Sequence, residues 1–251
     1  MFRPRIIPVL LLKDEYLVKS VQFKKHNYIG DPINAVRIFN SLQADELVFL
    51  DIEASRQGRL VDLNFVRNVG EEAHMPFAVG GGIRKLTDIQ DIIAAGAEKV
   101  VIGTYALENP DFIRQASEAF GSSTISVCID VKKKLFGKPV VWSMNGSRSH
   151  AYTAVEFAQL MEQKGSGEII IQSIEHDGMM QGYQLELIRS ISEAVTIPVV
   201  ALGGASSEQD LEDAHLKSFA NGVAAGSLFV YQGSQKGVLI SYPKKKDFFH
   251  K

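Results

Sequence analysis

The sequence predicts an α/β fold, a single (β/α)8 TIM barrel assembled from two half-barrels, and three observations carry that prediction. Length is the first: 251 residues, 45% of them apolar, can bury one full core and suit one α/β barrel better than two small domains. Alternation is the second, because short β-branched runs are separated by segments of helical period, the sequence form of repeated βα units around a parallel sheet. An internal repeat is the third. Ala44-Asp45-Glu46-Leu47-Val48-Phe49-Leu50 is echoed 122 positions on by Ser166-Gly167-Glu168-Ile169-Ile170-Ile171-Gln172. Ala78-Val79-Gly80-Gly81 returns as Ala201-Leu202-Gly203-Gly204, and Gly103-Thr104 as Gly226-Ser227, both after 123. A duplicated four-strand unit accounts for that period, so the chain is read as one domain over 1–251 with half-barrels at approximately 1–122 and 123–251.

The elements follow in order. Ile6–Leu12 trails two arginines as an export signal would, but it is only about seven residues long and runs into Lys13-Asp14-Glu15 without a small-residue cleavage site. It reads as core, and Arg5–Leu11 is the first strand. A long loop carrying Lys19 comes next, and Asp31-Pro32 starts a helix, since the orphan amides of a first turn need a side-chain acceptor and tolerate proline. Glu46–Asp51, Pro76–Val79 and Lys99–Ile102 are strands two to four, with Gly96 placed where a helix needs a left-handed C-terminal residue. Asn109-Pro110 starts a further helix that Gly121 ends, and Thr124–Asp130 is strand five.

The stretch from Lys132 to His150 is longer than an ordinary βα loop, and its Trp142 and Asn145-Gly146 suggest a small hairpin over the barrel mouth. Thr153 with Glu156, and Ser207 with Asp210, have capping-box spacing. Glu168–Ser173, Ile197–Leu202 and Gly222–Ala225 complete eight strands. Most are nearly continuously apolar, as strands covered on both faces must be.

Charge and cysteine content exclude several roles. The 27 basic and 29 acidic side chains leave no overall field to gather nucleic acid or an anionic membrane, so an anionic ligand has to be held locally. Cys128, the single cysteine, permits no disulfide within the chain; it is expected to pack at the core or its edge in a reducing, cytoplasmic setting. None of the six histidines has a second at metal-ligand spacing, so neither a metal nor another cofactor is expected. The basic run Lys244-Lys245-Lys246 reads as a solvated terminus.

The repeated glycines fall just after strands, at the face where such barrels keep their chemistry. Glycine lets backbone amides approach an anion closely, and a hydroxyl beside a helix start adds a donor. Gly82, Gly103 and Thr104 therefore suggest one phosphate site, and Gly204, Gly226 and Ser227 a second across the mouth.

At this point a resemblance becomes specific. Arg5-Ile6-Ile7-Pro8, Gly30-Asp31-Pro32, Asp45–Asp51, Val79-Gly80-Gly81-Gly82-Ile83 and Gly203-Gly204-Ala205 look like the HisF family, the cyclase subunit of imidazole glycerol phosphate synthase. The likeness spans nearly the whole chain. It implies a barrel that takes ammonia from a glutaminase subunit on its N-terminal face and uses it on a substrate phosphorylated at both ends. It also implies an acid-base pair of aspartates ending strands one and five. Asp130 matches the second, but Leu11 stands where the first belongs, and leucine can neither donate nor accept a proton. Asp14, three residues on, is a poor substitute because a misplacement of about 1 Å can cost on the order of a hundredfold in rate.

Other mouth positions differ from the family too. Gly103 replaces an Asn, Leu202 a Ser, Met179 a Thr, and Glu53 a Thr beside the retained Asp51. Lys19 matches the family's active-site loop lysine, and His176 and Asp177 follow strand six. At the opposite end, Arg5, Glu46, Lys99 and Glu168 match all four members of the family's charged ring at the ammonia entrance. Two charges of each sign converging there suggest a mutually neutralising gate, because a buried charge is costly unless paired.

Two functions follow from the resemblance. In one, the chain is the ammonia-handling barrel of a glutamine amidotransferase complex, similar to HisF-like proteins associated with sugar amidation for surface polysaccharides, where a separate sugar amidotransferase makes the acetamidino group. In the other, it is a histidine-pathway lyase working with Asp130 and an unorthodox acid.

Overall fold

The computed structural model describes residues 3–134, 139–233 and 235–243; the run Lys244-Lys245-Lys246 lies outside them. Strand β1 (Arg5–Lys13) leads into a hairpin, β2 (Tyr16–Val21) and β3 (Lys24–Gly30), and then into helix α1 (Pro32–Ser41). The chain continues through β4 (Leu47–Asp51), α2 (Ala54–Gln57), α3 (Leu63–Glu72), β5 (Phe77–Gly80), α4 (Leu86–Ala94), β6 (Lys99–Ile102), α5 (Thr104–Glu108) and α6 (Asp111–Phe120). Beyond these come β7 (Ile125–Lys133), β8 (Pro139–Ser143), β9 (Arg148–Ser149), α7 (Ala154–Gln163), β10 (Glu168–Ser173), α8 (Leu185–Ser192) and β11 (Val199–Leu202). Last are α9 (Glu208–Ser218), β12 (Gly222–Ala225), α10 (Ser227–Val230) and the short pair β13 (Tyr231–Gln232) and β14 (Gly237–Val238).

Strands β1, β4, β5, β6, β7, β10, β11 and β12 pair in parallel, and β12 returns to β1 with Arg5 opposite Gly222 and Pro8 opposite Ala225, closing the (β/α)8 barrel. Alternation along each strand makes two apolar layers. Ile6, Leu10 and Leu12 face the helices, in a layer that holds the fully buried Phe39, Phe49, Phe157 and Phe229. Ile7 and Val9 face inward and meet Val48, Ala78, Val101, Ile170 and Ala224, so the interior is a packed apolar column.

Local chemistry fixes most helix starts as the sequence predicts. Asp31 accepts from the Asn34 amide ahead of α1, and Thr153–Glu156 and Ser207–Asp210 form reciprocal capping boxes. Asn109 is different. It terminates α5, and α6 begins after Pro110 without a side-chain cap, Asn109 lending only its carbonyl to the Phe112 amide. Thr124 likewise belongs to a short 3-10 turn, its hydroxyl donated to the Phe120 carbonyl, and β7 begins at Ile125.

Two excursions at the C-terminal face correct the sequence reading. The expected loop after the first strand is the β2–β3 hairpin, turned at Asp14 in the left-handed region (φ 56°) and laddered to β1 with Leu11 opposite Val18. Its pattern was hard to read because β3 exposes Lys24 to Tyr28 and buries only Ile29. The expected small hairpin over the mouth is larger, since β7 runs on to Lys133 and pairs antiparallel with β8, which pairs with β9. No described helix is long and apolar enough to cross a membrane.

Candidate functional site

The strand ends and their loops enclose two adjoining cavities at the mouth. Gly82, Gly103 and Thr104 line the first, Gly204, Gly226 and Ser227 the second, and Leu11, Gln172 and Asp177 form a wall common to both. Each duplicated glycine set thus supplies one cavity.

The first cavity's wall is fixed by Asp51. Arg59 straddles its carboxylate, Nη1 to Oδ2 at 2.6 Å and Nη2 to Oδ1 at 3.3 Å, while the Glu53 and Ala54 amides donate to Oδ1 at 3.0 Å. This clamp presses the Arg59 carbonyl against Gly82, whose φ is +70° and where a Cβ would lie 1.8 Å from that oxygen. Only glycine fits there. Glu53 turns away to Lys13 at 3.4 Å. The β8–β9 turn roofs the cavity: the Met144 amide donates to Thr104 Oγ1 at 3.2 Å and Asn145 Nδ2 to the Ile52 carbonyl at 2.5 Å. The roof was legible in Asn145-Gly146; its anchorage was not.

The floor is apolar apart from one acid. Leu11, Leu50, Val101 and Cys128 line it around Asp130, and Asp14 is exposed in the β1–β2 turn, so it does not stand in for Leu11. Burial raises the Asp130 pKa to about 7, with the nearby Asp177 charge acting in the same direction and the Cys128 thiol, 3.7 Å from Oδ1, opposing it. Cys128 packs at the edge of the inner apolar layer, as expected, and burial followed by Asp130 pushes its own thiol well up.

Lys19 enters the second cavity from β2, not from a loop. It is 6% exposed, and Nζ donates to the Val9 carbonyl at 2.6 Å. Burial lowers its pKa to about 8, against the opposing pull of Asp177. A Cβ on Gly226 would lie 2.0 Å from Nζ. Gly226→Ala should therefore displace the ammonium, the end of a flexible chain, and crowd the Val9 carbonyl at 3.2 Å, at a cost of about 1–3 kcal/mol; thermal unfolding and the pH dependence of Lys19 acetylation check both halves.

Met180 and Leu202 line this cavity; Met179 does not. His176 braces the rim through Nδ1 to the Gly182 carbonyl at 2.8 Å, and the Gly182 amide donates to the Gly204 carbonyl at 2.9 Å. Sequence reasoning missed Gln172, although the period-2 rule that turns Glu168 inward turns Gln172 inward as well, level with Asp130.

At the other end of the barrel the four predicted charges meet. Arg5 bonds both Glu46 and Glu168, and Lys99 Nζ lies 3.1 Å from Glu46 and 3.6 Å from Glu168, so cations and carboxylates alternate in a closed ring. Ser126 Oγ adds a donor to Glu168 at 2.9 Å. Burial works to lower the Arg5 pKa, but Glu168 and Glu46 outweigh it and hold it raised.

Known proteins show what the whole chain is similar to. The chain matches the family described as Histidine biosynthesis protein over residues 5–236. It is 45% identical over 243 residues to a Pseudomonas aeruginosa protein named hisF2, covering 97% of each chain. It is 42% identical over 248 residues to a Leptospira interrogans protein named HisF, covering 98% of each. Both names carry the provisional assignment of imidazole glycerol phosphate synthase subunit. An Alkaliphilus metalliredigens protein named imidazole glycerol phosphate synthase subunit HisF, without that proviso, is 40% identical over 250 residues, covering 100% of this chain and 97% of its own.

Proposed function

The chain belongs to the HisF family of histidine biosynthesis proteins, and from that premise we propose that it is the barrel subunit of a glutamine amidotransferase complex, receiving ammonia from a glutaminase subunit on its N-terminal face. One contrast carries the reading: the ring Arg5–Glu46–Lys99–Glu168 is complete, while the opposite end offers Asp130 with Leu11 in place of a second carboxylate. Above the ring, the apolar column of Ile7, Val9, Val48, Ala78 and Val101 favours neutral ammonia over ammonium, whose charge would be stripped of water there.

The mouth holds a phosphorylated small molecule in its two glycine-lined cavities, with Lys19 supplying the cation of the second. The ammonia serves amidation of a sugar in surface polysaccharide biosynthesis, handed on to a separate sugar amidotransferase. A lone acid at the floor suits a conduit better than a two-carboxylate cyclase.

The lyase reading keeps one observation in its favour. Asp130, with a pKa of about 7, can both hold and release a proton near neutrality. An ammonia-dependent cyclase assay separates the two. Wild-type protein should be nearly silent, and Leu11→Asp should raise turnover by about tenfold, a modest gain for a restored acid-base partner because Gly103 and Leu202 stay altered. Robust wild-type turnover would sink the conduit reading.

A further inference from the structure

Asp177 sits in the loop after β10, in the wall shared by the two mouth cavities. Its Oδ2 accepts from Ser20 Oγ at 2.6 Å and from the Phe23 amide at 3.2 Å, and its carbonyl accepts from the Gln22 amide at 2.9 Å. All three donors belong to the β2–β3 hairpin. From the barrel side, Gln172 Nε2 donates to Oδ1 at 3.3 Å. The next residue, Gly178, has φ +68°, and a Cβ there would lie 2.1 Å from the Ser20 carbonyl, so hairpin and loop are in backbone contact.

The ladder between β1 and β2 pairs Lys13 with Tyr16, Leu12 with Leu17 and Leu11 with Val18, and stops there. Lys19 is the first residue past it, and β3, the hairpin's other strand, is exposed along most of its length. Something other than the sheet must therefore hold the far end of the hairpin where Lys19 Nζ reaches the Val9 carbonyl beside Gly226.

We propose that Asp177 is a positioning residue, latching the β2–β3 hairpin onto the loop after β10 and thereby delivering the Lys19 ammonium to the second cavity. A carboxylate suits the task because it accepts charge-assisted bonds from two hairpin donors at once. The titratable groups it faces are Lys19 on β2 and Asp130 on β7. The latch stands on hairpin geometry, not on what the mouth binds, so it can fail while the functional reading stands.

The test uses the full chain without ligand. Acetylation of Lys19 by acetic anhydride is followed by peptide mass spectrometry as a function of pH, beside hydrogen exchange in the hairpin. Asp177→Ala should raise hairpin exchange, and the plateau rate of acetylation reached once the Lys19 amine is neutral, on the order of tenfold or more while exchange in β5 and β6 stays unchanged. Release of the hairpin should also lift the midpoint of Lys19 reactivity from about 8 towards that of an ordinary lysine, whereas loss of the Asp177 charge with Lys19 still buried would lower it. Ser20→Ala removes one latch bond from the hairpin side; it should act in the same direction, and the two changes together should give less than the sum of their effects. Ser20→Ala carries the test alone if Asp177→Ala does not fold. Wild-type labelling and exchange in either variant, or simple additivity in the pair, would overturn the latch.

Discussion

Arg5→Met should destabilise the barrel by about 3 kcal/mol, the lower end of what breaking a buried ion pair costs, because the Arg5 side chain is one-third exposed. The loss is not that of an ordinary surface pair. Glu46 and Glu168 keep only 4% and 9% of their side-chain surface in water, so removing Arg5 leaves two enclosed carboxylates sharing Lys99. Adding Glu168→Gln to Arg5→Met should recover more than half the loss, since one carboxylate and one ammonium then remain. Urea unfolding of the single and double variants measures the difference, and a cost below about 1 kcal/mol for Arg5→Met would mark the ring as a water-screened cluster. Function offers a second readout under the proposed conduit role: reversing the charges at Glu46 and Lys99 should abolish sugar amidation by the assembled complex when glutamine is the nitrogen source and spare amidation supplied with free ammonia. Undiminished transfer from glutamine would count against a gate.

The barrel was legible in the sequence from its strand pattern, and the ring from the resemblance to the HisF family, with which that pattern agrees. A strand buried on both faces is a short apolar run whose alternate residues point inward, so the strand starts place Arg5, Glu46, Lys99 and Glu168 at one end of the interior. Gly82, Gly103, Gly204 and Gly226 could be read because each marks a strand end and because the repeat doubles the signal. The β2–β3 hairpin could not be found that way. It lies on the mouth and buries Leu17, Val18 and Ile29 but exposes a polar edge, a composition that matches a loop as well as a strand. Contacts between distant segments were equally silent: nothing in Asp51 announces that Arg59 will clamp it, and nothing in Lys19 announces a buried ammonium beside Gly226.

Such contacts divide the residues of the mouth by task. Asp51 and Asp177 are engaged by protein donors on both carboxylate oxygens, and His176 braces a rim, whereas among the described residues the Asp130 carboxylate accepts from the Cys128 thiol alone. Asp130 is thus the acid at the floor best placed to meet a ligand. Its exposure to the mouth and its raised pKa are two consequences of the same position, because a carboxylate set among Leu11, Leu50 and Val101 has little to stabilise its charge.

Asp130→Asn should accordingly make the protein more stable, and only above a certain pH. The unfolded chain loses this proton near 3.8 and the folded chain near 7, so between those values the folded state binds more protons and wild-type stability falls as pH rises. The penalty is absent below pH 3.8 and complete above pH 7. A shift of about three pH units corresponds to roughly 4 kcal/mol, and water reaching this partly open side chain trims it to about 2 kcal/mol. Asparagine has the shape of the protonated acid and carries no charge, so it lifts the penalty without leaving a cavity. For a chain of this length the gain amounts to roughly 4–8 °C in Tm at pH 8, shrinking to nothing by pH 4. Thermal unfolding of the two at both pH values decides the matter: an equal Tm difference at pH 4 and pH 8 would mean that Asp130 is ionised throughout, and that the floor of the mouth is wetter than its apolar lining implies.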